Sequence, residues 1–263
     1  MHEDIDGMTG EGNFRRDNKY SEVTFNGAKG EFFFRDKDAE KDEATGKYPK
    51  ENLGQSLEVV VLKIRRMLQE KYRPNAQLYR TTEHNVKGDR VLLYKGKDRA
   101  GVVTADKELA MTNRMYTHQV VYCYSPVKRE VVRLIVKGAS LGSEKTSKGV
   151  LKFYDYIQSF KEGEHLRDFM TKLVPVPEEG PNGSYYAIDF QRGEALDDAK
   201  KEKVIGLIKE VHESIQRADA KLNLAGQAAS TPPDEEIVVP EDEAEEDGFK
   251  YPSEEINPED IPF

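Results

Sequence analysis

The sequence predicts a mainly β domain with helices, whose strands close a barrel, followed by an acidic tail. Short runs of β-branched and aromatic residues recur through residues 21–191, separated by Gly, Pro and charged residues. Two segments place apolar residues at helical spacing. Near the C-terminus acidic residues dominate and apolar residues become too sparse for a packed core. We therefore expect a flexible N-terminus over 1–20, a folded domain over 21–223, and a flexible linker with a disordered tail over 224–263.

The first third of the domain contains the strongest strand signal. Residues 22–25 and 30–35 predict two short strands, the second centred on three phenylalanines. Residues 36–54 are charged and interrupted by Gly and Pro, which predicts a loop. The Val- and Leu-rich residues 56–67 predict a long strand, and residues 77–82 are expected to pair close to it.

Two hairpins follow. Residues 91–94 and 101–104 predict a hairpin around a basic loop at 95–99. Residues 118–124 and 130–137 predict a longer one, because both arms are β-branched or aromatic and a proline lies in the turn between them.

The rest of the domain alternates helix and strand. A helix with Ser147 as its N-cap is predicted from apolar residues at helical spacing. Residues 170–176 and 184–191 predict two more strands. A second helix is expected over 197–222, where Val, Ile, Ala and Leu form one stripe, and the small residues of 225–233 predict a flexible linker.

The element order is strand, strand, strand, helix, strand, strand, which resembles an OB-fold. That resemblance implies a barrel with an open face that binds nucleic acid. The strands predicted within 20–35 and 87–115 would be additions to such a barrel.

Composition and motifs argue against several classes of protein. A single cysteine, Cys123, excludes an intrachain disulfide framework and fits a reducing compartment. The five histidines lack metal-ligand spacing, and residues 138–149 lack the phosphate-loop pattern, so we expect no enzyme, cofactor or metal. No apolar stretch approaches the ~18 residues of a membrane span, and the polar residues 1–12 do not resemble a signal peptide. A cytoplasmic location without membrane association is the expectation.

Alternation along three strands predicts the nucleic-acid site. Val60, Leu62 and Ile64 are expected on one face of their strand, with basic residues opposite. Aromatic rings stack on exposed bases at roughly 1–3 kcal/mol each, and cations follow phosphates, so an interleaved face suits single strands. The competing interpretation is that the tyrosines pack and the charges are merely solvated. The predicted face comprises Lys63, Arg65, Tyr122, Tyr124, Arg133 and Lys137.

The tail carries the most specific signal. Residues 232–263 hold 13 Asp or Glu and one Lys, a net charge of −12, which leaves +3 on residues 1–231. The chain ends on Asp260, Ile261, Pro262 and Phe263. An acidic tail with this tip resembles the C-terminus of bacterial single-stranded-DNA-binding proteins, where the tip docks other genome-maintenance proteins. Ile261 and Phe263 are suited to apolar pockets, and the terminal carboxylate to a basic residue or backbone donors.

The expected function is therefore that of a bacterial or bacteriophage single-stranded-DNA-binding protein that coats DNA. Its tail would recruit replication, recombination and repair proteins. A homo-oligomer is possible, but the bacterial tetramer interface does not carry over, because this chain is longer and lacks Trp. Two alternatives stay open: an adaptor or decoy that carries the tail without binding DNA, and an RNA-binding OB protein.

Overall fold

The computed structural model describes residues 19–40, 42, 48–71, 76–142, 149–180 and 183–228, with side chains described to residue 220. Strands predominate in these ranges. They are β1 (Ser21–Asn26), β2 (Glu31–Arg35), β3 (Glu51–Gly54), β4 (Leu57–Glu70), β5 (Tyr79–Thr81), β6 (Arg90–Lys95), β7 (Asp98–Thr104), β8 (Met115–Ser125), β9 (Glu130–Val136), β10 (Phe169–Gly180) and β11 (Gly183–Ala195). The helices are α1 (Lys107–Thr112), α2 (Phe153–Gln158) and α3 (Asp198–Ala228).

The strands form one sheet in the order β3-β2-β1-β9-β8-β4-β5-β6-β7. β10 pairs with β4 and with β11 and so lies off this path. The β1–β9 pair is parallel, and the other pairs are antiparallel. The long strand β4 therefore connects three parts of the sheet: β8, β10, and the extension formed by β5–β7.

The prediction of a mainly β domain with a C-terminal helix is confirmed, but the closed barrel is wrong. β1 occupies the edge of β9, and the described strands show no pairing between β11 and β9. Alternate amides of β11 bond instead to single acceptors, which satisfies polar groups that strand pairing would otherwise satisfy. These bonds are Tyr186 N to Gly27 O (2.6 Å), Ile188 N to Ser140 Oγ (3.0 Å) and Phe190 N to Leu151 O (2.8 Å).

The main core lies between one side of the sheet and α2. Phe153 and Tyr156 of α2 are each 1% exposed. Their rings lie 5.3 Å and 5.9 Å from the ring of Phe190 on β11. Val121, Leu134 and other inward residues of β8 and β9 complete this core. The inward sides of these two strands were predicted correctly.

A second core lies on the opposite side of the sheet, beneath α3. The Asp197 carboxylate accepts a bond from the backbone N–H of Lys200 (2.8 Å), the geometry of an N-cap. Val204, Val211 and Ile215 are buried against β4 and β8, which confirms the predicted apolar stripe. The helix continues to Ala228, past the predicted end and into the segment predicted as a linker.

Most other strand predictions are confirmed to within a few residues. The structure adds β3 inside the predicted loop and the short helix α1, neither of which was expected. α2 begins at Phe153, and the predicted N-cap Ser147 lies outside the described residues. In the described part of the chain, no helix combines the length and the apolar character that a membrane crossing requires.

Candidate nucleic-acid interface

The candidate site lies on the side of the sheet opposite the main core, which we call the outer face. Sequence alternation misassigned Val60 and Leu62 of β4 to the opposite face. A bulge in β4 interrupts its pairing with β8 between Val61 and Lys63. As a result, Val60 and Leu62 pack in the outer core under α3, whereas Ile64 packs against the main core. A bulge adds one residue to a strand and reverses the alternation beyond it.

A row of polar side chains crosses five adjacent strands of the outer face. We call this row the central ladder. Directly paired residues place their side chains on the same side of a sheet, so strand register defines the row. From β4 through β8, β9 and β1 to β2 it consists of Lys63, Tyr122, Arg133, Glu22 and Arg35.

The central ladder is occupied by internal contacts. Glu83, in the loop after β5, accepts a bond from the Tyr122 hydroxyl (2.6 Å) and one from Arg133 Nε (2.6 Å). Glu22 lies 3.3 Å from Arg133 Nη1 and 3.0 Å from Arg35 Nη2. Each guanidinium group of the row thus already forms an ion pair with a carboxylate.

The electrostatics agree with this geometry. Burial alone would lower the pKa of Arg133, but Glu83, Tyr122 and Glu22 outweigh it and raise that pKa. Burial, together with the Glu83 carboxylate, raises the pKa of the Tyr122 hydroxyl well above its usual value. These shifts favour a cationic Arg133 and a neutral Tyr122, which share Glu83 as a partner.

The other predicted site residues have mixed environments. Arg65 is 4% exposed, donates to the Glu83 carbonyl (2.8 Å) and pairs with Asp219 of α3 (3.1 Å). Tyr124 is half-buried, and Lys203 of α3 lies 4.4 Å from its ring centre and donates to its hydroxyl (2.8 Å). Lys63 is half-buried and Lys137 is exposed.

Three of these six residues, Arg65, Tyr122 and Arg133, are therefore buried rather than part of an open face. Tyr122 is only 6% exposed because α3 and the Glu83 loop cover it. Exposing it would require removal of Val204, Val211 and Ile215 from the outer core, at about 1.5–3 kcal/mol each. One stacked base returns only about 1–3 kcal/mol. A nucleic acid would therefore not displace α3 to reach this tyrosine.

A second row of side chains on the outer face lies farther along β4 and β8, beyond Lys63 and Tyr122. It runs from β8 across β4 into the extension that we call the arm, β5–β7 with its connecting loops. We call this row the arm ladder. Register pairs its members strand by strand: Tyr116, Gln69, Arg80, Tyr94 and Arg99.

The arm ladder consists of two aromatic side chains, two basic ones and Gln69, which lies between Tyr116 and Arg80. Tyr116 is 48% exposed, Arg99 is exposed, and Arg80 and Tyr94 are half-buried. Burial, and after it the Arg133 guanidinium, lower the pKa of Arg80. Five strands at about 4.8 Å span about 19 Å. At the ~3.4 Å spacing of stacked bases, this distance corresponds to roughly five nucleotides.

The face predicted from the sequence did not include Arg80, Tyr94, Arg99 or Tyr116. Strand pairing from β4 through β7 places these residues in one row. In the last pair of strands, a bulge between Leu93 and Tyr94 shifts the register so that Tyr94 pairs with Arg99. The alternation of aromatic and basic types on short strands was the one available signal, and it does not reveal register.

The predicted partner-binding tip, Asp260, Ile261, Pro262 and Phe263, lies outside the described residues, as does the rest of the tail. Within the described ranges, no three His, Cys, Asp or Glu side chains are grouped as metal ligands would be. The fold and its outer face define a mainly β protein with a helix-covered central sheet and a basic, aromatic arm. Comparison of the chain with protein-family models, curated proteins and solved structures finds no match.

Proposed function

We propose that this protein binds single-stranded DNA and that the arm ladder is its contact surface. The observation that carries the proposal is that Tyr116, Arg80, Tyr94 and Arg99 lie in one row on the same side of the sheet, with Gln69 between the first two. Aromatic rings stack on any base, and guanidinium groups attract the phosphates between bases. A duplex hides the faces of its bases, so this surface favours a single strand.

The topology supports an OB-like body. β4, β8 and β9 form an antiparallel meander, α2 follows β9, and β10 pairs both with β4 and with β11. In OB-folds the face of the second and third strands, and the loop between the first and second, bind oligonucleotides. The arm is inserted between β4 and β8, the position of that loop. β1, parallel to β9, replaces the pairing that would close an OB barrel.

The acidic tail supplies the second half of the proposal. Residues 232–263 carry −12, and the apolar Ile261 and Phe263 follow Asp260. A short peptide of this kind suits a groove that combines apolar pockets with basic groups. We assign to it the recruitment of replication, recombination and repair proteins in a bacterium or a phage-infected cell.

Binding by the full-length chain tests the function. Labelled oligo-dT, oligo-U and duplex DNA of equal length should be compared by fluorescence anisotropy across a salt series. We expect oligo-dT to bind more tightly than duplex, with a linear fall in the logarithm of the association constant as the logarithm of salt concentration rises. Tighter binding to oligo-U would assign the surface to RNA. No binding to any probe at low salt would overturn the nucleic-acid function.

One observation favours the alternative of an adaptor or decoy without DNA binding. The cations expected to contact phosphate, Arg65 and Arg133, are both buried and paired with carboxylates. If the full-length chain captures proteins that recognise the bacterial tail but binds none of the three probes, the adaptor function replaces the proposed one.

A further inference from the structure

The arm ends in an edge strand. β7 pairs with β6 on one side, and no strand of the described chain pairs with its other side. Such an edge presents a row of backbone donors and acceptors to any extended segment. Gly101, Val102 and Val103 are half-buried, so the C-terminal half of β7 offers apolar as well as backbone contacts.

The net charge near this edge indicates which kind of segment would bind to it. Residues 90–104 contain Arg90, Lys95, Lys97 and Arg99 against a single acid, Asp98, a net charge of +3. A second copy of the arm would bring two such hairpins together and oppose like charges. An acidic strand is favoured instead, because opposite charges on neighbouring strands attract.

The tail contains one segment with matching chemistry. Residues 237–239 read Ile-Val-Val, the β-branched residues most typical of strands. Acidic residues lie on both sides of this triplet, with Pro240 between it and the acids that follow. They are Asp234, Glu235 and Glu236 before it and Glu241, Asp242 and Glu243 after it.

The path of α3 places the start of the tail near the arm. Lys203 contacts Tyr124 at one end of β8, and Asp219 contacts Arg65 farther along β4. The helix therefore runs along β4 toward the end that pairs with β5. From Ala228 to Ile237 the chain reaches up to about 30 Å when extended, whereas β7 lies three strand spacings, about 14 Å, from β4.

We propose that residues 237–239 of the tail add to the free edge of β7 as a short strand, held by the basic charge of the arm. The contact is intramolecular and uses the edge of the arm rather than its outer face. It does not depend on nucleic-acid binding, and it is tested without any nucleic acid present.

Hydrogen–deuterium exchange of the full-length protein tests the contact. The amides of Asp98–Thr104 that point away from β6 are the reporters. Val238→Pro removes a backbone donor and opposes strand addition. Ala244→Pro places the same residue in the tail outside the proposed strand and is the matched control. With a tail at an effective concentration of about 1 mM, we expect Val238→Pro to speed exchange of these amides about tenfold and Ala244→Pro to leave it unchanged.

A second pair of variants tests the charge. Lys97→Glu should raise exchange of the same amides, whereas Lys172→Glu on the exposed part of β10 should not. Equal exchange in the wild type and Val238→Pro would overturn the proposal. A dimer in light scattering that Val238→Pro dissociates would overturn the intramolecular contact and assign the strand to the tail of a second copy.

Discussion

Replacement of Tyr94 or Tyr116 by Ala is expected to weaken single-stranded DNA binding while the fold is retained. Both rings belong to the arm ladder, and Tyr116 is 48% exposed. Loss of one stacked base costs about 1–3 kcal/mol, which corresponds to a fall in affinity of roughly 5- to 150-fold. If both rings stack independently, the double substitution should lose about the sum of the two free energies.

Matched variants separate stacking from other effects. Tyr94→Phe and Tyr116→Phe keep the ring and should bind nearly as the wild type does. Tyr124→Ala removes a ring that already contacts Lys203 and should change affinity little. The assay is anisotropy of labelled oligo-dT at one fixed salt concentration, with urea unfolding of each variant to confirm the fold.

The reasoning is refuted if Tyr124→Ala weakens binding more than both arm substitutions do. That outcome would mean that α3 moves aside and that the sequence-based face is the true surface. Equal affinity of the wild type and the arm double variant would exclude the arm ladder as the contact surface even if DNA binds.

Four further outcomes are expected. Glu83→Gln should lower the free energy of unfolding in urea by about 3 kcal/mol, because it leaves the buried Arg133 poorly paired; a loss below about 1 kcal/mol would contradict the buried network. Burial and Lys137 lower the pKa of His118 to about 4. Because the unfolded chain then binds more protons than the folded one between about pH 6.5 and 4, up to about 3 kcal/mol of the free energy of unfolding should be lost as the pH falls through this range. A His118→Gln variant should lack this part of the pH dependence. Deletion of residues 232–263 should tighten DNA binding most at low salt, where screening is weakest, and unchanged affinity there would argue against contact between tail and arm. Deletion of Phe263 should abolish capture of proteins that recognise the bacterial tail and leave DNA binding nearly normal, whereas equal recovery in a pull-down would remove the tip from the proposal.

The strands and the long helix could be predicted from the sequence, because periodicity within each segment indicates them. β8 and β9 alternate without interruption, and both of their inward faces were predicted correctly. The stripe of α3 recurs at helical spacing and is buried as expected. The surface against which α3 packs depends on the tertiary structure. The apolar stripe alone therefore does not show which side of the sheet the helix covers.

One sequence signal did indicate that β4 is covered on both sides. Residues 59–62 are an unbroken apolar run, Val-Val-Val-Leu, which is typical of a strand buried on both sides. The bulge after Val61 then shifts Lys63 and Arg65 to the side beneath α3. Neither the bulge nor the register of β4 through β7 has a local signature, so the arm ladder was not predictable.

The distribution of charge connects the two proposals about the arm. Residues 1–231 carry +3 in total, and the β6–β7 hairpin alone carries +3, so the rest of that region is neutral overall. On the central sheet, Arg133 and Arg65 are matched by Glu83, Glu22 and Asp219. The excess positive charge of residues 1–231 therefore equals that of the arm hairpin, which is where we expect DNA phosphates and the acidic tail to bind. A tail strand on the edge of β7 would leave the rings of the arm ladder accessible but reduce the positive potential around them. Tail docking should accordingly weaken DNA binding through its salt-dependent part while leaving the stacking contributions of Tyr94 and Tyr116 unchanged.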